Sequence, residues 1–402
     1  MCRNKSKILR KAQNDKKTAQ SSHPRRPQCC CRARRPHRAA AERSKASALA
    51  ASALLKGAIK QMKMPKKPAL ALLALCLLLA PLPGCAAKRP NIVFFIYDVN
   101  DTFISEAVGY IKGHISPDFS YEICYAGNSQ SVQNQQIADN IGKADLFVIN
   151  AVDRLACNSI VEKCEKVSIP VIFFNREPLR DAMTGSDVFY VGAAADSLGK
   201  KQADIVASLF GRDFKGSRYD RNGDGVIQLV IIKGEQGHQD AEKRTDNCVS
   251  RLRELGYQVE VLAIQPANWQ RQQGRDVMRQ FYEQYGSRIE LVFSNNDDMA
   301  LGAIDYLLAD GVYSRDQAVP KPFVIVGVDG TAPGLRAVRE GLLYGTVDND
   351  SARQAEAILA LAARLLARQS PAGIPFAITN GHYIYVDGDT ITQANILDYP
   401  AG

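Results

Sequence analysis

Asp220-Arg-Asn-Gly-Asp-Gly-Val-Ile-Gln228 runs into the apolar stretch Leu229–Ile232, and Lys233-Gly-Glu-Gln-Gly-His-Gln-Asp-Ala-Glu-Lys-Arg-Thr245 follows. Val230, Ile231 and Ile232 are β-branched and mark a strand over Ile227–Ile232. Gly234 and Gly237 end it, and polar groups at His238, Asp240 and Arg244 stand where a helix begins. A strand end opening into a helix start is where open α/β sheets bind ligands. Arg244 lies one helical turn after Asp240 on the same face, a spacing that an ordinary exposed ion pair also satisfies.

The first part of the stretch carries oxygen ligands at Asp220, Asn222 and Asp224, with Gly225 next, the spacing of a loop that wraps a hard cation such as calcium. Val226 offers a backbone carbonyl and Gln228 a side-chain oxygen. Position 12 of the loop is Ile231, which has no carboxylate, so a remote acid has to complete the site. A surface turn rich in Asp, Asn and Gly explains the same residues without a metal.

Outward from this stretch, apolar strand-like runs alternate with segments of helical length. Gln258–Ile264, Leu291–Ser294, Phe323–Val328 and Leu343–Val347 continue the series. An earlier one comprises Asn91–Tyr97, Tyr121–Tyr125, Leu146–Asn150, Val171–Phe174 and a short Phe189–Val191. The alternation predicts an α/β protein of two open, doubly wound parallel sheets with a cleft between their strand ends. No Pro- or Gly-rich linker separates the halves, so the connections should be short.

The chain has 402 residues and a formal net charge of +9, but its charge is unevenly placed. Residues 1–84 hold 20 of the 51 Lys and Arg and only two of the 42 acids, Asp15 and Glu42, so the remainder is acidic. Lys63, Lys66 and Lys67 precede the apolar run Ala69–Ala80, and Leu82-Pro-Gly-Cys85 follows, a signal segment too short to span a membrane. A cysteine there resembles a lipoprotein acylation site, which marks Cys85 for lipidation, although Pro83 is unusual in that motif. Residues 1–61 form a basic leader without periodic apolar pattern, and translation is expected to start at Met62 or Met64. Of the later cysteines, Cys157 and Cys164 are about two helical turns apart, too far for a disulfide, and no CxxC pair suggests zinc.

Polar and aromatic side chains gather after the strands: Asp101 and Phe103, Asn175, then His238, Asp240, Arg244, Trp269, Asn296, Asp329 and Asn349. Singly, Trp269 could be core and Asn296 or Asp329 a helix cap; their common position favours a shared ligand. Planar polar groups hold neighbouring hydroxyls and aromatic faces cover C–H surfaces, the two kinds of surface a pyranose presents.

Asp98-Val-Asn-Asp-Thr-Phe103, Val171-Ile-Phe-Phe-Asn-Arg-Glu-Pro178, Gly234–Thr245, Asn295-Asn-Asp297, Gly327-Val-Asp329 and Gly345-Thr-Val-Asp-Asn-Asp350, with the cation loop, resemble the galactose/glucose-binding branch of the sugar-binding periplasmic binding proteins. The resemblance implies a type I periplasmic binding fold: an N-terminal lobe of residues 90–193 and 350–384, a hinge, and a C-terminal lobe of residues 194–349 and 385–402. It implies that Phe103 and Trp269 sandwich D-galactose or D-glucose while the other eight cleft residues take its hydroxyls, and that Glu290 completes the calcium site. It also implies a monomer that delivers sugar to the membrane subunits of an ABC permease, in the periplasm or on the outer face of the cytoplasmic membrane. A sensor presenting its closed form to a chemoreceptor or membrane kinase is the close variant. A nucleic-acid-binding regulator would need a helix-turn-helix where the signal segment stands. Acid/base catalysis by His238 with Asp240, or by Asp101 with Asp329, is not expected, because each group already has a hydroxyl to bind.

Overall fold

The computed structural model describes residues 88–400. The leader, the signal segment and Cys85 lie outside the described residues. The first half builds β1 (Asn91–Ile96), α1 (Thr102–His114), β2 (Ser120–Tyr125), α2 (Gln130–Asn140), β3 (Leu146–Ile149), α3 (Cys157–Glu165), β4 (Val171–Phe174) and β5 (Val188–Ala193). The second builds α4 (Ala195–Phe210), β6 (Val226–Lys233), α5 (Gln239–Glu254), β7 (Gln258–Pro266), α6 (Arg271–Tyr285), β8 (Leu291–Ser294), α7 (Asp297–Ala309), β9 (Val324–Val326), α8 (Ala332–Arg339) and β10 (Gly345–Val347). α9 (Ser351–Leu366) packs against α1 and so returns to the first lobe, followed by β11 (Tyr383–Val386) and β12 (Thr390–Thr392).

Each lobe holds a six-stranded sheet. The orders are β11-β5-β4-β3-β1-β2 and β12-β10-β9-β8-β6-β7, the same doubly wound plan twice, and only β12 runs antiparallel. Parallel strands covered on both faces need apolar residues on both, and successive side chains sort accordingly. Ile92, Phe94 and Ile96 meet Ile104, Ile111, Ile358 and Leu361 on one side, while Val93 and Phe95 meet Ile137, Cys157 and Ile160 on the other. In the second lobe Val230 and Ile232 pack with Met278 and Ile304, and Leu229 and Ile231 with Leu198 and Cys248.

The chain crosses between lobes after β5, after β10 and after β11, each time within four residues. The third crossing corrects the boundary expected at 384/385. Tyr385 and Val386 still pair with Gly192 and Ala193 of β5, so the first lobe extends through Val386. Several expected strands also shorten. Tyr97 leaves the sheet to bond Asp101, and Leu343 packs into the helix layer beside Val338 instead of extending β10. Cys124, Cys157, Cys164 and Cys248 are free thiols, the last three buried. No helix among the described residues is long and apolar enough to cross a membrane.

Candidate functional site

The C-terminal ends of both sheets face a cavity lined by Asp101, Phe103, Asn175, His238, Asp240, Arg244, Trp269, Asn296, Asp329 and Asn349, together with Tyr97 and Arg176. It widens toward solvent into a cleft mouth of about 770 Å³.

The first lobe contributes through a helix start and a strand end. Asp101 caps α1, its Oδ1 accepting the Ile104 N–H at 3.0 Å, while Oδ2 accepts the Tyr97 hydroxyl at 2.5 Å. Phe103, in the first turn, belongs to the core and reaches the cavity from there. Asn175 follows β4 with φ 60°, a conformation that favours Gly or Asn, and its Oδ1 accepts from Asn150 Nδ2 at 3.2 Å.

On the second lobe, β6 ends at Lys233, Gly234 follows it, and His238 caps the start of α5. His238 Nδ1 accepts the Asp240 N–H at 3.1 Å, so a neutral imidazole carries its proton on Nε2 and offers it as a donor. Burial, then the charges of Arg176 and Arg244, push its pKa well below the usual value. Arg244 Nη2 donates to Asp240 at 3.0 Å, and Nη1 to the Asn295 carbonyl at 2.8 Å and to Asp329 at 3.5 Å. Asn349 donates to the same Asp329 oxygen at 3.0 Å. Asn296 caps α7 and donates to the Trp269 carbonyl at 3.2 Å. Trp269 itself sits at φ 67°, its indole pressed over Gly234 so closely that a Cβ there would collide with the ring. Gly234 is the one residue that lets the indole lie there.

Asn175, Trp269 and Asp329 all have positive φ, conformations that cost on the order of 1–3 kcal/mol each and concentrate at functional sites. Asp240 Oδ1 and Arg244 Nε are enclosed and have no hydrogen-bond partner. A buried acceptor and a buried donor left free in one cavity are complementary to a polar ligand. Burial raises the carboxyl pKa of Asp101, Asp240 and Asp329, with Arg244 acting against that rise at the last two.

Sequence reasoning missed Tyr97 and Arg176 as lining residues and Asn150 and Asn295 as supports. Asn295 Oδ1 accepts from Gly234 N and Thr245 Oγ1, fixing the β6–α5 turn. All four stand at strand ends or inside the motifs quoted above, so position was the available signal.

In the expected cation loop, Asn222, Asp224, Val226, Gln228 and Glu290 are linked by hydrogen bonds, while Asp220 accepts the Gly216 N–H at 2.8 Å. Glu290, from the mouth of β8, accepts Arg221 N–H at 2.6 Å and Gln228 N–H at 3.0 Å. Asn222 and Gln228 turn their amide nitrogens to Asp224 Oδ2, each at 2.9 Å, and Val226 N–H bonds Asp224 Oδ1 at 2.7 Å. Asp220 Oδ1 is buried without a partner. No three His, Cys, Asp or Glu side chains converge tightly enough to hold a metal among the described residues. The donor set nevertheless suits a hard cation. It is all oxygen, Glu290 is raised by burial and by the nearby Asp220 and Asp224 charges, and half-turns of the two amides would replace nitrogen by oxygen.

Two parallel-sheet lobes enclosing a polar cavity at their facing strand ends define a two-lobed solute-binding protein. The chain belongs to the periplasmic binding protein family, whose domain matches residues 92–370. It is a binding protein and not an enzyme. It is similar to the D-galactose/methyl-galactoside binding periplasmic protein of Haemophilus influenzae, with 32% identity over 75% of this chain and 89% of that one. A ribose import binding protein of Salmonella typhimurium shares 25% identity over 65% of this chain and 80% of its own length. Among solved structures, an ABC transporter periplasmic solute binding protein from Actinobacillus succinogenes with bound D-allose has a TM-score of 0.64 at 20% identity, covering 77% of this chain and all of that one. One from Bacillus halodurans with bound myo-inositol has 0.63 at 24%, covering 77% and 97%. These likenesses show the same fold.

Proposed function

We propose that the protein captures D-galactose or D-glucose outside the cytoplasmic membrane and passes it to the membrane subunits of an ABC permease. The observation that carries this reading is the cavity itself. Ten planar polar or aromatic residues from both lobes line it, with an unpaired acceptor on Asp240 and an unpaired donor on Arg244. Phe103 and Trp269 supply apolar faces for the ring, and His238 Nε2–H, Arg244, Asn175, Asn296 and Asn349 supply donors. Asp101, Asp240 and Asp329 accept hydroxyl protons. The relative from Haemophilus influenzae, named for galactose binding, supports hexose over pentose. Because the residues belong to two lobes, a sugar satisfies them all only when the lobes close, and the closed form is what a permease can read. Titration calorimetry with galactose, glucose, allose, ribose and myo-inositol tests the assignment. Heat with ribose or inositol and none with galactose or glucose would overturn it.

Calcium is the second part of the proposal. Asp220, Asn222, Asp224, the Val226 carbonyl, Gln228 and Glu290 would hold it, tying the loop before β6 to the start of β8. A metal that binds the folded form alone stabilises by mass action. Chelator is expected to lower the melting temperature by several degrees, the shift that about 1–2 kcal/mol produces in a protein of this size. Glu290→Gln should remove that sensitivity while hexose heats persist at low temperature. A metal-stripped protein whose melting ignores added calcium would reject the site.

A further inference from the structure

Arg176 is outside the ten residues drawn from the sequence, yet it borders both the enclosed cavity and the cleft mouth. It follows Asn175 on the first lobe and is only 4% exposed. Its guanidinium stacks on Tyr97, 4.0 Å from the ring centre, and Nη1 donates to the Val152 carbonyl at 2.7 Å. Nη2 reaches across the cleft to Glu235 on the second lobe, at 2.8 Å. Nε is buried without a partner, on a side chain that lines the enclosed cavity. Each nitrogen of this planar fork thus has a partner except the one left for a ligand.

We propose that Arg176 sets ligand affinity in two ways: it clamps the first lobe to the second through Glu235, and it gives Nε–H to an oxygen of the bound sugar. The proposal rests on the cleft being a sugar site. The geometry requires arginine. A lysine could meet Glu235, but it could not also stack on Tyr97 and bond Val152 while presenting a further donor. The bridge makes closure partly a property of the protein, so ligand binding inherits whatever the clamp contributes. Glu235 keeps about two-fifths of its side chain in solvent, at 40%, which limits the bridge to a modest, salt-screened share.

The test compares parent, Glu235→Gln, Arg176→Lys and the double variant by calorimetry and stopped-flow fluorescence, with hexose at low and high salt. Glu235→Gln is expected to weaken galactose or glucose about 3- to 5-fold at low salt, mainly through faster release, with the difference shrinking at high salt. Arg176→Lys should cost roughly 10-fold and keep that loss at high salt, because the missing Nε–H is not a screened charge. The two losses should fall short of additive in the double variant. Small-angle scattering of ligand-free protein gives a reading independent of sugar: Glu235→Gln should be more extended than the parent. Equal hexose affinity in parent and Glu235→Gln overturns the clamp, and an Arg176→Lys loss that vanishes at high salt overturns the Nε contact. A parent that gives no heat with either hexose sinks the sugar reading instead. The clamp is then decided by scattering, where equal dimensions refute it.

Discussion

The two sides of the cleft are built differently. On the second lobe the polar groups are bonded to one another: Arg244 joins Asp240, Asp329 and the Asn295 carbonyl, and Asn349 shares Asp329. On the first lobe they are bonded to their own surroundings: Asp101 caps its helix and holds Tyr97, and Asn175 is steadied by Asn150. A charge network confined to one lobe keeps its geometry whether or not the other lobe is near. The second lobe is therefore the preorganised half, whose desolvation is met during folding, and the first is the half that completes the enclosure.

Asp240→Ala breaks this comparison most severely. Arg244 has 3% of its side chain exposed and would keep, besides the neutral Asn295 carbonyl, only the longer 3.5 Å contact to Asp329 as a charge partner. Breaking a buried pair by removing one partner costs roughly 3–5 kcal/mol, and the free Asp240 Oδ1 disappears with it. Hexose affinity should fall by about 100-fold or more, read by calorimetry. Trp269→Ala comes next, at about 2 kcal/mol or roughly 30-fold, because it removes a stacking face and leaves Gly234 beneath an open cleft. Trp269 is the chain's one tryptophan, so parental emission should change on binding. Asp101→Ala should cost less, about 10-fold for both hexoses, since it removes an acceptor and a cap without stranding a charge. An Asp101→Ala loss equal to that of Asp240→Ala would refute the asymmetry.

Both halves of the fold were legible because a covered parallel strand needs an unbroken apolar run, and Val171–Phe174 and Leu291–Ser294 have that signature without ambiguity. β11 and β12 were not. Tyr383-Ile-Tyr-Val386 exposes Tyr385, and Thr390–Thr392 has a single buried side chain, so neither carries the pattern of its sheet neighbours. The ten cleft residues could be found because strand ends in such sheets meet at one place. The left-handed conformations of Asn175, Trp269 and Asp329 and the reach of Arg176 to Glu235 could not. They depend on how the chain turns after each strand and on where the other lobe stands, which local pattern does not encode.

The smallest effect expected separates folding from binding by pH. Asp297, on the second lobe, next to the lining residue Asn296 but not itself lining the cavity, has a carboxyl pushed up to about 7 by burial. It accepts from Thr346 Oγ1 at 2.7 Å and from Thr331 N–H at 2.9 Å. A carboxyl whose folded pKa lies above its unfolded one holds its proton more tightly when folded. Its contribution to stability is fully present below the ordinary carboxylate range and is lost as pH rises through about 7. The melting temperature should therefore decline as pH rises from about 6.5 to 8. Asp224 and Glu242 are shifted downward and act in the opposite sense only below the ordinary carboxylate range, whereas His238, shifted downward by burial, opposes the decline up to the ordinary imidazole pKa of about 6.5 and no longer does above it. Binding should slope the other way. Burial raises Asp101, Asp240 and Asp329, and a sugar hydroxyl donates best to their ionised forms, so binding releases protons and strengthens as pH rises. His238, held neutral across the range, adds no opposing step. Hexose affinity should improve about 3-fold from pH 5.5 to 8 while melting temperature falls above about 6.5, a small change against one pKa unit of 1.36 kcal/mol. Calorimetry in buffers of different ionisation heat measures the released protons directly. Proton uptake on binding, or affinity and melting temperature moving together with pH above the imidazole range, would show that these three carboxylates are not the groups that accept the sugar.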